Sequence, residues 1–78
     1  MKPVGKFINL REEWELNYFL EKNGYRKTED NRKVLIQIIK RKVKPCYHLS
    51  PLQNLEWEKL NEYYIKYKSD FSDLETKD

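Results

Sequence analysis

The sequence has no alanine, two glycines, one cysteine and one histidine in 78 residues. Each shortage closes a route. Gly5 and Gly24 are too far apart to build a glycine-rich phosphate loop. A lone Cys46 cannot form an internal disulfide, which predicts a reducing, cytoplasmic setting. Cys46 and His48 supply only two of the four ligands that a structural zinc site takes, so neither metal nor cofactor is expected. They do not form a nucleophile pair either, because side chains two residues apart in extended backbone are poorly placed to meet. The plain expectation is a buried thiol beside a loop histidine. With no nucleophile, base and orienting group to assemble, the chain reads as a non-enzyme.

Long apolar runs are missing too. The longest uncharged stretch of that kind, residues 34–39, falls far short of the ~20 residues that span a bilayer. Residues 1–6 lead into no apolar stretch of a secretory signal. The expectation is a soluble, intracellular protein without a membrane partner. The missing alanine, beside abundant Lys, Asn, Ile, Tyr and Glu, reads as AT-rich coding of the kind found in a phage or mobile element.

What is present is charge and aromatic surface. Charged residues make up 37% of the chain and hydrophobic ones only 38%, but two Trp, six Tyr and three Phe can build a core from few positions. A chain of this length forms one domain and buries roughly 60% of its unfolded surface. Its core supplies only a few kcal/mol net, about 3–5 at this size.

Local signals predict an all-α, three-helix domain with a polar C-terminal tail. Asn9 as N-cap with Glu12 three residues on starts a first helix over about 10–23, which Gly24 ends in the left-handed conformation. Thr28 caps a second over about 29–43, limited by Pro45. Ser50-Pro51-Leu52-Gln53 places a cap, a first-turn proline and a capping-box glutamine ahead of a third over about 51–70. Residues 72–78 read as a frayed tail. The alternative is an α+β fold in which the β-branched residues 34–39 form a buried strand and residues 25–28 pair with it.

Apolar spacing then predicts faces. The third helix gathers Leu52, Leu60, Tyr63, Tyr64, Tyr67 and Phe71 on one side, with Trp57 at its edge. The second gathers Val34, Leu35, Ile38, Ile39 and Val43. The first carries two stripes. Leu16, Phe19 and Leu20 belong to the core, while Leu10, Trp14 and Tyr18 form a candidate protein interface, including that of a symmetric homodimer.

The net charge of +3 is unevenly spread. Residues 25–48 hold eight basic and two acidic groups, a block of +6. On a helical wheel Lys33, Lys40, Arg41 and Lys44 share the face opposite the apolar arc, with Arg26 and Arg32 at the rim. Such a face can neutralise phosphates of DNA or RNA, and Tyr25 and Tyr47 at its flanks can stack on bases. A lysine-rich face is also what an ordinary solvated helix carries. A helix-turn-helix is disfavoured, because residues 28–31 offer no apolar anchor early in the second helix. Two functions remain: a small nucleic-acid-binding protein, or an inhibitor or accessory subunit that grips a host protein through Leu10, Trp14 and Tyr18.

Overall fold

Residues 5–77 are described by the structure, a computed structural model. Residues 1–4, which enter the expectation about a leader, and Asp78 of the expected tail lie outside them. A two-residue strand β1 (Phe7–Ile8) precedes α1 (Glu13–Lys22) and α2 (Glu29–Ile38). A π-helical turn (Ile39–Val43) joins α2 to the short α3 (Lys44–Cys46), making one continuous rod. Strand β2 (Leu55–Glu56), α4 (Trp57–Lys66) and a 3-10 turn (Lys68–Phe71) follow.

Helix α1 begins three residues later than its sequence suggests. The Asn9 side chain accepts from Arg11 N at 3.0 Å, in a turn of its own, and Asn9 N donates to the buried Glu15 carboxylate at 3.1 Å. Asn9 is therefore held in the turn before the helix and does not cap it. The other end follows the sequence. Gly24 has φ +82°, Gly24 N reaches Glu21 O and Tyr25 N reaches Leu20 O, which closes the helix with a two-bond Schellman motif.

Thr28 caps α2 as expected, its hydroxyl accepting from Asn31 N at 3.1 Å. Residues 34–39 continue this helix into the π turn and are no strand. The helix also passes the expected stop at Pro45. In an α-helix the proline ring clashes with the carbonyl four residues back. The π turn directly ahead widens the coil by one residue, and Lys44 N reaches Ile39 O. The rod ends in a second Schellman motif, Leu49 N to Lys44 O at 2.8 Å and His48 N to Pro45 O at 3.1 Å. The left-handed position there is filled by His48, at φ +59°.

The third helix departs most from expectation. Ser50 N does donate to Gln53 Oε1 at 2.7 Å, so the capping-box bond forms, but the helix does not continue from it. Leu55 and Glu56 extend instead and pair antiparallel with Ile8 and Phe7, and Trp57 N reaches Lys6 O. This buries Ile8 and Leu55 together and leaves Leu52 95% exposed. Tyr67, beyond the last turn of α4, is also outside the core.

The core is continuous and mostly aromatic at one end. Phe19 meets Tyr64 edge-on at 5.5 Å, Tyr64 meets Phe71 edge-on at 5.0 Å, and the Tyr25 and Tyr64 hydroxyls share a 3.1 Å hydrogen bond. Leu20, Leu35, Ile39, Val43 and Leu60 fill the remainder. The radius of gyration, 11.6 Å, is close to the ~11 Å of an ordinary domain of this length, so the high charge does not swell the fold.

Residues 72–77 are not frayed. Leu74 is buried, Tyr25 and Thr76 form an antiparallel bridge, and Arg26 N and Lys77 N reach Glu75 O and Gly24 O. Asn31, only 1% exposed, locks this return in place. Its amide nitrogen donates to Arg26 O and Glu75 O, and its oxygen accepts from Glu75 N. Among the described residues no helix is long and apolar enough to cross a membrane.

Candidate nucleic-acid interface

The six basic residues singled out by the charge pattern separate into three groups. Arg26 and Arg32 serve the fold. Arg26 Nε donates to Thr76 O at 3.0 Å, fastening the returning chain. Arg32 bridges α1 and α2, through Asn17 Oδ1 at 3.1 Å and the Glu13 carboxylate at 3.7 Å. Lys33, Lys40 and Arg41 stand exposed on the α2 rod. Lys33 lies 4.0 Å from Glu29, an exposed pair of the kind that contributes little. Lys40 and Arg41 have no carboxylate in ion-pairing reach among the described residues.

Lys44 is a correction. It is 4% exposed, and its ammonium donates to Pro51 O at 2.8 Å. A straight α-helical wheel sets it beside Lys33, but the extra residue of the π turn rotates all that follows by about 100°. Burial, and next the neighbouring Lys40 charge, hold its ammonium below the ordinary lysine pKa.

The rotation points Lys44 to a cleft of about 550 Å³ between residues 7–11, the α2–α3 rod and the turn at 51–55. Lys40 and Arg11 line it with Lys44, and no carboxylate does. Sequence reasoning missed Arg11. It lies in the electrically neutral first third of the chain and reaches the block only because β1 pairs with β2. No local signal carries that. On the opposite flank Arg41 lines a shallower groove with Lys33, Gln37 and Lys42, where Asp73 also sits and where Lys42 pairs with Asp70 at 3.9 Å.

The aromatic part of the expectation changes as well. Tyr25 is buried, and Tyr47 is half-buried with Lys59 Nζ 5.2 Å over its ring and its hydroxyl donating to Lys59 O, so neither offers an open face to a base. Leu10, Trp14 and Tyr18 are each half-buried, with Tyr18 edge-on to Trp57 at 5.6 Å. The second stripe of α1 is thus partly covered within the chain, Leu10 and Tyr18 packing against the core. Among the described residues the exposed large apolar side chains are Phe7, Leu52, Ile65 and Tyr67. Cys46 is exposed rather than buried, because it sits at the solvent end of α3. The described residues hold no group of His, Cys, Asp and Glu able to take a metal ion. Comparison of the chain with known protein families, with curated proteins and with solved structures finds no match.

Proposed function

We propose that this chain is a non-enzymatic binding module for nucleic acid, with Lys40 and Arg41 meeting phosphates, Lys33 at one end of the face and Arg11 at the other. One observation carries the reading. Seven ion pairs engage Lys6, Lys27, Arg32, Lys33, Lys42, Lys66 and Lys77, yet Lys40, Arg41 and Arg11 have none among the described residues. Exposed cations that neighbouring acids leave unneutralised create the positive potential that draws a polyanion. The concave shape beside them favours a single strand or a strand end over a smooth duplex.

Anisotropy titrations of labelled single- and double-stranded DNA and RNA test this. Three phosphate contacts on a single strand imply a salt slope of about −2.1, so binding weakens about 20-fold from about 50 to about 200 mM salt. The double variant Lys40→Glu, Arg41→Glu loses binding while its circular dichroism is unchanged. No binding of any of the four nucleic acids at the lowest salt ends the proposal.

A further inference from the structure

The cleft holds a group that a surface reading leaves unexplained. An ammonium has three donors, and among the described residues the buried Lys44 uses one, on Pro51 O, and has no carboxylate partner. Withdrawing a cation from water without a counter-charge is unfavourable. Here a second cation, Lys40, lies near enough to add to the cost, and Arg11 lines the same cleft. The cleft therefore holds positive charge together with no acid among the described residues that line it, and an anion there relieves all three at once. Neutral donors are at hand in the Asn9 and Asn54 side chains.

We infer that this cleft receives a phosphate monoester, held by the Lys44 and Lys40 ammonium groups with Arg11 at its exposed side. The ligand is the terminal phosphate of a nucleic-acid strand or of a mononucleotide. The inference deepens the nucleic-acid reading and rests on it for the strand. A monoester carries about −1.5 to −2 charge at neutral pH, which matches two ammonium groups, whereas an internal diester carries one. A monoester is also free on one side and can enter a recess. A diester must bring a sugar on either side with it to reach a buried Nζ. The remaining wall is apolar, from Phe7, Leu10, Ile36 and Leu52.

The experiment compares one oligonucleotide sequence with phosphate or hydroxyl ends, and adenosine monophosphate alone, on the full chain. The phosphate-ended strand is expected to bind about tenfold tighter, the gain of charge-assisted hydrogen bonds to one group. Adenosine monophosphate is expected to compete, shifting the amide signals of Arg11 and Lys40. Lys44→Met removes the charge and keeps the stem, and it erases the preference while hydroxyl-ended strands still bind. Should that variant fail to fold, Lys40→Gln, at an exposed position, carries the same test and reduces the preference. Lys66→Gln, on α4 and away from the cleft, preserves it. Equal binding of both strands overturns the inference and leaves the nucleic-acid reading standing. Binding of the mononucleotide alone supports the cleft and ends the reading for strands. No binding by any of the three ends both.

Discussion

Replacing Asn31 with alanine should cost this protein about 3 kcal/mol. Three hydrogen bonds run from its side chain to Arg26 and Glu75, at 2.8 to 2.9 Å, and each contributes about 1 kcal/mol net. Glu75 O keeps a second donor in Arg26 N, whereas Arg26 O and Glu75 N lose the partner they have. Both residues lie close to solvent, so water recovers part of the loss and the estimate stays near the bond count. A domain of this size has a total stability of about 4–12 kcal/mol, so the change removes a quarter or more of it. Asn31→Asp should cost at least as much, since a carboxylate then faces the two carbonyl oxygens that received the amide protons. Urea unfolding followed by circular dichroism gives the stability change, with a lower midpoint at unchanged slope. Hydrogen exchange at the Glu75 and Lys77 amides reads the local effect, where protection should fall by more than in α1. A stability loss under about 1 kcal/mol, or unaltered protection at Glu75, would refute the assignment of Asn31 as the fastening of the returning chain.

Two further outcomes follow from the backbone and the tyrosines. His48 occupies a left-handed position that suits glycine, so His48→Gly should stabilise by about 0.5–1 kcal/mol and raise Tm by roughly 2–8 °C, while Gly24→Ala should do the reverse; a drop in Tm for His48→Gly would contradict the reading. Tyr25, Tyr47 and Tyr63 are all raised above the usual tyrosine value, each chiefly by burial, with the Tyr64 hydroxyl, the Glu62 charge and the hydrogen bond to Asp70 adding in turn. Groups raised on folding stabilise fully below the unfolded value, about pH 10, and that contribution is lost as pH climbs beyond it. Unfolding should therefore set in above about pH 10 together with late tyrosinate absorbance, and ionisation of all six tyrosines near their ordinary value without unfolding would exclude it.

The parts that could be read from the sequence are those set by neighbouring residues. Gly24 and Thr28 bound their helices as expected, since a cap needs only three or four residues of context. Leu16, Phe19 and Leu20 fall in the core because an α-helix of ten residues keeps its period. Strand pairing was out of reach. Phe7–Ile8 and Leu55–Glu56 are too short to show alternation, and they meet across nearly fifty residues. That pairing also overrides the start of the third helix, although the Ser50–Gln53 bond forms. The site divides in the same way. Lys40 and Arg41 stood out by composition and remain exposed. Lys44 was placed by a regular wheel that one extra residue in the π turn invalidates, and Arg11 joins through the sheet. Asn31 read as one polar residue of a first turn, because its partner Glu75 lies 44 positions away.

The two long-range closures also govern when the chain can fold during its synthesis. A ribosome releases residues in order, so α1 and α2 emerge while Leu55, Leu60, Phe71 and Leu74, which cover their apolar faces, are still to come. No smaller unit has its own core to settle into, and β1 waits for β2 just as Tyr25 waits for Thr76. The Tyr25–Thr76 closure forms only once Thr76 is clear of the ribosome. Nascent chains interrupted before Phe71 would show bare Leu16, Phe19 and Leu20 to chaperones and proteases. For a fold closed by such distant pairings, quality control by the cell depends on translation through Thr76 rather than on any one helix.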